Sequence, residues 1–183
     1  MGIKIKWNSE RILSLSAMSI SFITLIIFIY QTNLMSRQNH LSILPYLSLT
    51  TSNSPVDSKF NLSLENHGVG PAIIESVTIK HKGKSYDLAE FNSEVFTFLK
   101  EKVPKLDSIQ AISYATLDRG MAIPVNISYT IMEVTNAPKD YLLLRNSLND
   151  LLEDGMSFEI VYKSIQNERW VITNNTKGPE QLD

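Results

Sequence analysis

One uncharged apolar run, Ile12 to Tyr30, constrains this chain more than any other feature of it. Its nineteen residues contain no Asp, Glu, Lys, Arg or His, and Ile20, Phe22, Ile23, Leu25, Ile26, Ile27, Phe28 and Ile29 crowd its second half. At ~1.5 Å rise per residue a helix of that length covers roughly 28 Å, the hydrocarbon thickness of a bilayer. The run predicts a transmembrane helix over residues 12–30 that meets lipid along its length. Everything after it is then expected to fold beside a membrane.

A cleaved signal peptide would have a shorter apolar segment and a small-x-small cleavage site. Here the run is followed by Tyr30-Gln31-Thr32-Asn33-Leu34-Met35, so an uncleaved anchor is expected. Lys4, Lys6 and Arg11 precede the span, while Arg37 is the one Lys or Arg close behind it. Positive charge favours the cytoplasmic side, which predicts a cytoplasmic N-terminus and an extracytoplasmic domain; the opposite orientation is the alternative. Ala17 and Ser21 form a small-xxx-small pair, with Ser14 one turn earlier, of the kind that lets helices approach closely. The plainer reading is that these small residues are merely tolerated in lipid.

Charge is divided unevenly. Residues 1–44 carry a net +3 and the rest −5. Phosphate binding needs a clustered basic surface, so a mildly acidic domain argues against nucleic acid as a partner. The chain has no cysteine, which excludes a disulfide framework, thiolate catalysis and cysteine-ligated zinc.

Past the span, Gln31 to Leu44 is polar and could prolong the helix until Pro45 stops it. The pattern then changes to period two, the signature of strands with one buried face. Phe60, Leu62 and Leu64 alternate with polar residues, as do Val77 and Ile79. Ile123, Val125, Ile127, Tyr129 and Ile131 give the longest alternation. Met156, Phe158, Ile160 and Tyr162 repeat it, and Trp170 with Ile172 suggests a short last strand. Lys82-Gly83 and Asp118-Arg119-Gly120 supply turns, since glycine accepts the positive φ that hairpins need.

Two segments have helical spacing instead. Asp87 and Glu90 form a possible capping box before Phe91, Val95, Phe98 and Leu99, with Pro104 closing the segment. Pro138 and Asp140 open the other, with Leu144, Leu148 and Leu151 on one face and Gly155 as its stop. The apolar stripe of each is expected to cover the sheet. The division that results is a short basic tail (1–11), a transmembrane helix (12–30), a helical stalk or linker (31–44), a β-sandwich domain (45–175) and a flexible C-terminal tail (176–183). The predicted fold class is mainly β: an antiparallel sandwich decorated by two inserted helices.

Residues 62–74 form the most distinctive local motif, Leu-Ser-Leu-Glu-Asn-His-Gly-Val-Gly-Pro-Ala-Ile-Ile. They predict a strand ending at Asn66, a hairpin turn through Gly68 and Gly70 using backbone angles closed to other residues, and a new strand after Pro71. This stretch, followed by Val-x-Ile and Gly83, resembles a hairpin of bacterial immunoglobulin-like sandwiches. With the Leu41–Leu47 run and the late Ile160–Trp170 element, the order resembles a group of uncharacterised bacterial single-span membrane proteins. That resemblance implies an immunoglobulin-like sandwich on a single anchor and implies no activity.

Residues with chemical potential are scattered. His40 falls in the stalk, His67 in the glycine turn beside Glu65, and His81 at a strand end. A catalytic zinc uses three protein ligands, and Glu65 with His67 supplies only two, so a solvated strand edge is expected and no metal. Asp150, Glu153 and Asp154 lack calcium-loop spacing and are expected to be a solvated face. Lys80, Lys82 and Lys84 form a strip that could touch anionic headgroups, though an ordinary exposed hairpin accounts for it. Tyr162 and Trp170 are expected in the core. No nucleophile elbow, metalloprotease helix or phosphate-binding glycine loop occurs, so no catalytic residue and no cofactor is expected. The sequence therefore favours a membrane-anchored, non-enzymatic protein that binds another protein or an envelope component. The alternative is a hydrolase or small-ligand-binding domain whose site assembles from scattered polar residues.

Overall fold

The computed structural model of the chain describes residues 9–41, 43–174, 176 and 178–182. Most of the basic tail, with Lys4 and Lys6, lies outside the described residues. The chain divides into two units, Met1–Ser42 and Ile43–Asp183.

The first unit is one helix, α1 (Ser9–Leu41), 33 residues long. It is long and apolar enough to cross a membrane, with a mean hydropathy of 2.4 in its most apolar window. Helical geometry continues beyond Tyr30 through the polar segment to Leu41. The serine and threonine hydroxyls in the apolar run do not stand free. Ser14 donates to the Glu10 carbonyl and Ser21 to the Ala17 carbonyl, each at 2.8 Å. Such back-bonding is how a helix carries serine through lipid without orphaned donors.

The second unit is built from antiparallel sheets. Its elements are β1 (Leu47–Ser54), β2 (Lys59–Asn66), β3 (Ala72–His81), β4 (Lys84–Asp87), α2 (Val95–Lys102), β5 (Ile112–Tyr114), β6 (Ala122–Ile123), β7 (Ser128–Val134), α3 (Pro138–Glu153), β8 (Ser157–Lys163), β9 (Arg169–Thr173) and β10 (Glu180–Leu182). One sheet has the order β1-β2-β7-β5, the other β10-β9-β8-β3-β4, with β6 on β3. Both line one hydrophobic core, with Leu62, Leu64 and Ile131 from the first and Val77, Ile160 and Ile172 from the second. A cross-core bond ties them: the Leu47 amide on β1 donates to the Tyr162 phenol oxygen on β8 at 3.3 Å. Tyr162 is fully buried and stacks on Trp170 with ring centroids 5.9 Å apart, so both residues are core. Burial pushes its phenol up to about 12, keeping it neutral across the physiological range.

Several expectations need correction. The alternation from Ile123 to Ile131 is not one strand. It breaks at Pro124–Ile127, where Asn126 takes a left-handed φ of 56°, and the chain leaves β3 in one sheet for β2 in the other. Likewise the 62–74 motif is no hairpin, because β2 and β3 belong to different sheets. Nor does Asp118-Arg119-Gly120 join paired strands; it carries the chain from β5 beside β7 to β6 beside β3. Lys82-Gly83 does make a two-residue hairpin, with φ of 51° and 76°, the geometry that matches strand twist.

The first inserted helix is also divided. Asp87 caps a short 3-10 turn (Leu88–Phe91) by accepting from the Ala89 amide, and Asn92 and Ser93 then take left-handed angles before α2 starts. The helix that begins at Pro138 is continuous, with Leu144, Leu148 and Leu151 buried. Its position is set by polar anchors: Asp140 accepts from the Gln110 and Ala111 amides, and the Tyr141 hydroxyl donates to Asn53 at 2.6 Å. Residues 180–182, expected as part of a flexible tail, instead add β10 to the edge of β9.

Candidate functional site

Two arrangements stand out in the domain, a backbone clamp and a cavity. The clamp is made by Asn66, whose buried side chain uses both ends. Its amide oxygen accepts from the Tyr46 and Gly68 amides at 3.2 and 3.0 Å, and its nitrogen donates to the Gly70 and Ile123 carbonyls at 2.9 and 3.0 Å. The glycines of the motif serve a purpose other than the one expected of them. Neither has a positive φ. A Cβ on Gly70 would stand 2.0 Å from the Ile43 carbonyl oxygen, and one on Gly68 would stand 2.4 Å from both the Leu44 oxygen and the Tyr46 nitrogen. They are glycine because the backbone of residues 43–46 lies directly on them. Main-chain bonds complete the seat, from the His67 amide to the Tyr46 carbonyl and from the Val69 and Gly70 amides to the Leu44 carbonyl. The motif thus holds the segment that leads into β1.

The cavity, about 360 Å³, lies between the two sheets. Leu47, Leu62, Val77, Ile79, Ile131 and Ile160 give its walls, Val95 and Leu99 come from α2, and Leu148 and Leu152 from α3. Ser48, Thr51, Thr173, Asn174 and Thr176 add a neutral polar rim. Among the described residues of its lining, only Tyr46 can titrate. Interiors seldom leave voids larger than a water molecule. Left dry, 360 Å³ would cost on the order of 9 kcal/mol at about 24 cal/mol per Å³, comparable to the whole stability of a domain. The space therefore opens to solvent or holds an occupant, and Thr51, Asn174 and Leu152 on its lining are exposed.

The rim is partly fixed by its own bonds. The Asn174 side-chain oxygen accepts from the Phe158 amide, and the Thr176 hydroxyl accepts from the Thr173 amide. The hydroxyls of Ser48 and Thr51 have no hydrogen-bond partner among the described residues.

The residues weighed from the sequence lie elsewhere. His67 pairs with Glu65 at 3.3 Å on an exposed edge, and the side chain of His40 is outside the described residues. His81 is buried, and its Nε2 lacks a partner among the described residues. Lys82 pairs with Asp154 at 3.1 Å and Lys80 with Glu159 at 2.7 Å, while Asp150 lies 4.0 Å from Lys105. Two of the three lysines of the strip thus serve the domain's own acids. On the flank formed by α2, the Lys102 ammonium lies 4.1 Å from the Tyr86 ring centroid and 5.3 Å from that of Phe98. Its pKa is raised, first by its hydrogen bond to Glu101. That cation–π contact staples α2 onto β4.

A family model described as Domain of unknown function (DUF8453) matches residues 12–174. The chain belongs to this family. No curated protein matches it. The DUF8453 match begins at Ile12, the first residue of the apolar run, and ends at Asn174 on the cavity rim. It takes in the apolar run of α1, the clamp and every strand except β10. Nothing in the sequence marks the cavity in advance, because its walls are the same aliphatic residues that fill a core and they come from several separate elements.

Proposed function

We propose that the protein is a membrane-anchored, non-enzymatic binding protein. α1 sits in the bilayer with its N-terminus in the cytoplasm, and an immunoglobulin-like sandwich outside holds a partner protein or an envelope component. The orientation is supported by Lys4, Lys6 and Arg11 ahead of the span against Arg37 behind it. The reading rests chiefly on the cavity lining. General acid–base chemistry needs a titratable group within about 3 Å of the moving proton, and beyond the Tyr46 phenol the described lining offers apolar carbon, hydroxyls and one amide, with no carboxylate, imidazole or amine among the described residues. The family match supports treating tether and domain as one working unit, since it runs through both.

Affinity capture of the tagged full chain from native membranes, followed by mass spectrometry of proteins and lipids, tests this reading. A near-stoichiometric companion is expected. Recovery of the chain alone, or only with copies of itself, would count against it.

A further inference from the structure

The lining also narrows what the cavity can take. We infer that it binds one unbranched aliphatic chain bearing a hydrogen-bond-accepting head group, the shared chemistry of a free fatty acid and a lipid acyl chain. This deepens the binding reading above and rests on it.

Size limits the occupant first. A space of about 360 Å³ lies within the size range of small-ligand sites and accommodates one medium chain. Wall chemistry limits it next. The walls are branched aliphatic side chains, and the aromatic lining residues, Tyr46 and Phe158, are both partly exposed. No ring is fully buried where it could stack on a planar ligand. An aliphatic chain in contact with Leu49, Val95 and Leu152, lining residues that keep exposed apolar surface, would remove that surface from water at about 25 cal/mol per Å².

The head group is set by the rim. Thr51, on the same face of β1 as Leu47 and Leu49, brings a hydroxyl donor with no partner among the described residues. It suits an ester carbonyl or a carboxylate. Among the described residues no charged side chain lines the cavity to pair with a phosphate. A chain tethered by a lipid-spanning helix also works where such amphiphiles are concentrated, which favours this class over water-soluble apolar molecules.

The test uses the full chain in lipid nanodiscs, irradiated with a diazirine-bearing dodecanoate or with a phospholipid carrying the same diazirine on one acyl chain. Adducts are mapped by peptide mass spectrometry. Expected are adducts on peptides that contain Leu49, Val95 or Leu152, displaced by unlabelled dodecanoate. Labelling by the free acid alone would identify a free fatty acid as the source, and labelling by the phospholipid a membrane lipid. Leu49→Phe fills the space and should lower these adducts about tenfold. Should that variant misfold, exposed Thr51→Asp leaves the core intact. Its charge should lower labelling by the carboxylate probe about tenfold while sparing a dodecanol analogue. Adducts confined to residues 12–30, or cavity adducts indifferent to both variants, would overturn the inference and leave the binding reading standing. A probe recovered with its head group cleaved would instead sink the non-enzymatic reading while leaving the site in place.

Discussion

Gly70→Ala is expected to destabilise the domain by about 3 kcal/mol or more, because the added methyl has nowhere to go. Its Cβ would meet the Ile43 oxygen at 2.0 Å, the Ile43 carbonyl carbon at 2.5 Å and its Cα at 2.8 Å, all backbone atoms. Relief requires moving the whole 43–46 segment, which the Val69 and Gly70 amides hold through the Leu44 carbonyl. Gly83→Ala is the contrasting case. Gly83 has a φ of 76° and nothing within 4 Å of its would-be Cβ, so only backbone strain of about 1 kcal/mol is expected. Thermal unfolding of the full chain in nanodiscs, followed by tryptophan fluorescence, should rank Gly70→Ala far below Gly83→Ala. Equal losses would mean that close backbone approach is not what selects glycine in this motif.

Asn66→Ala should cost about 4 kcal/mol, since one truncation strips partners from two amides and two carbonyls in a buried place. Asn66 is 1% exposed, so water cannot readily replace the lost bonds. Its own backbone also pairs with the sheet-switching segment, its amide with the Ile127 carbonyl and its carbonyl with the Asn126 amide. One residue thereby fixes the strand leading in at Tyr46, the crossing from β2 to β3 and the break between β6 and β7. Asn66→Asp separates shape from donor chemistry. It keeps an acceptor for the Tyr46 and Gly68 amides but turns an oxygen toward the Gly70 and Ile123 carbonyls. Near neutral pH it should be at least as damaging as alanine. As the pH falls through the carboxyl's raised native pKa, protonation restores a donor, and the deficit relative to wild type should shrink. Denaturation midpoints of the two variants across pH would show this. A deficit for Asn66→Asp that does not change with pH would remove the donor role assigned to the Asn66 amide nitrogen.

Where one side of a strand meets the core and the other meets water, the alternation is readable from the residues alone: β2, the middle of β3, β8 and β9. The same rule misleads at Ile123–Ile131, because period-two spacing carries no mark of which sheet a strand has joined. Left-handed Asn126, tied to Asn66, makes that switch, and a lone Asn within an alternating run does not announce it. β1 is hard to see because its second half, Thr51-Ser52-Asn53-Ser54, has no large apolar side chain and lies on an exposed sheet edge. Small polar residues of that kind resemble a loop more than a strand.

The first inserted helix is legible at its cap, Asp87, but not at its break, where Asn92 and Ser93 both turn left-handed. The 62–74 motif is legible as a place of special backbone but not as to cause, since only the folded chain brings residues 43–46 onto its glycines. The cavity is not legible at all. Leu62, Ile131 and Ile160 have the residue types and spacing of a filled core, and whether facing side chains meet or leave room depends on how the two sheets are held apart.

The proposed function takes the chain as a single-span protein whose domain lies outside the cytoplasm. The measurement that tests this most directly exploits the absence of native cysteine, which leaves one introduced thiol unambiguous. Val56 is 93% exposed in the turn between β1 and β2, so Val56→Cys should not disturb the fold. In intact cells a membrane-impermeant maleimide should label this variant fully, with the labelled chain remaining in the membrane fraction. Labelling that appears only after the cells are broken would contradict the account, because it would put the sandwich, its cavity and any companion on the cytoplasmic side.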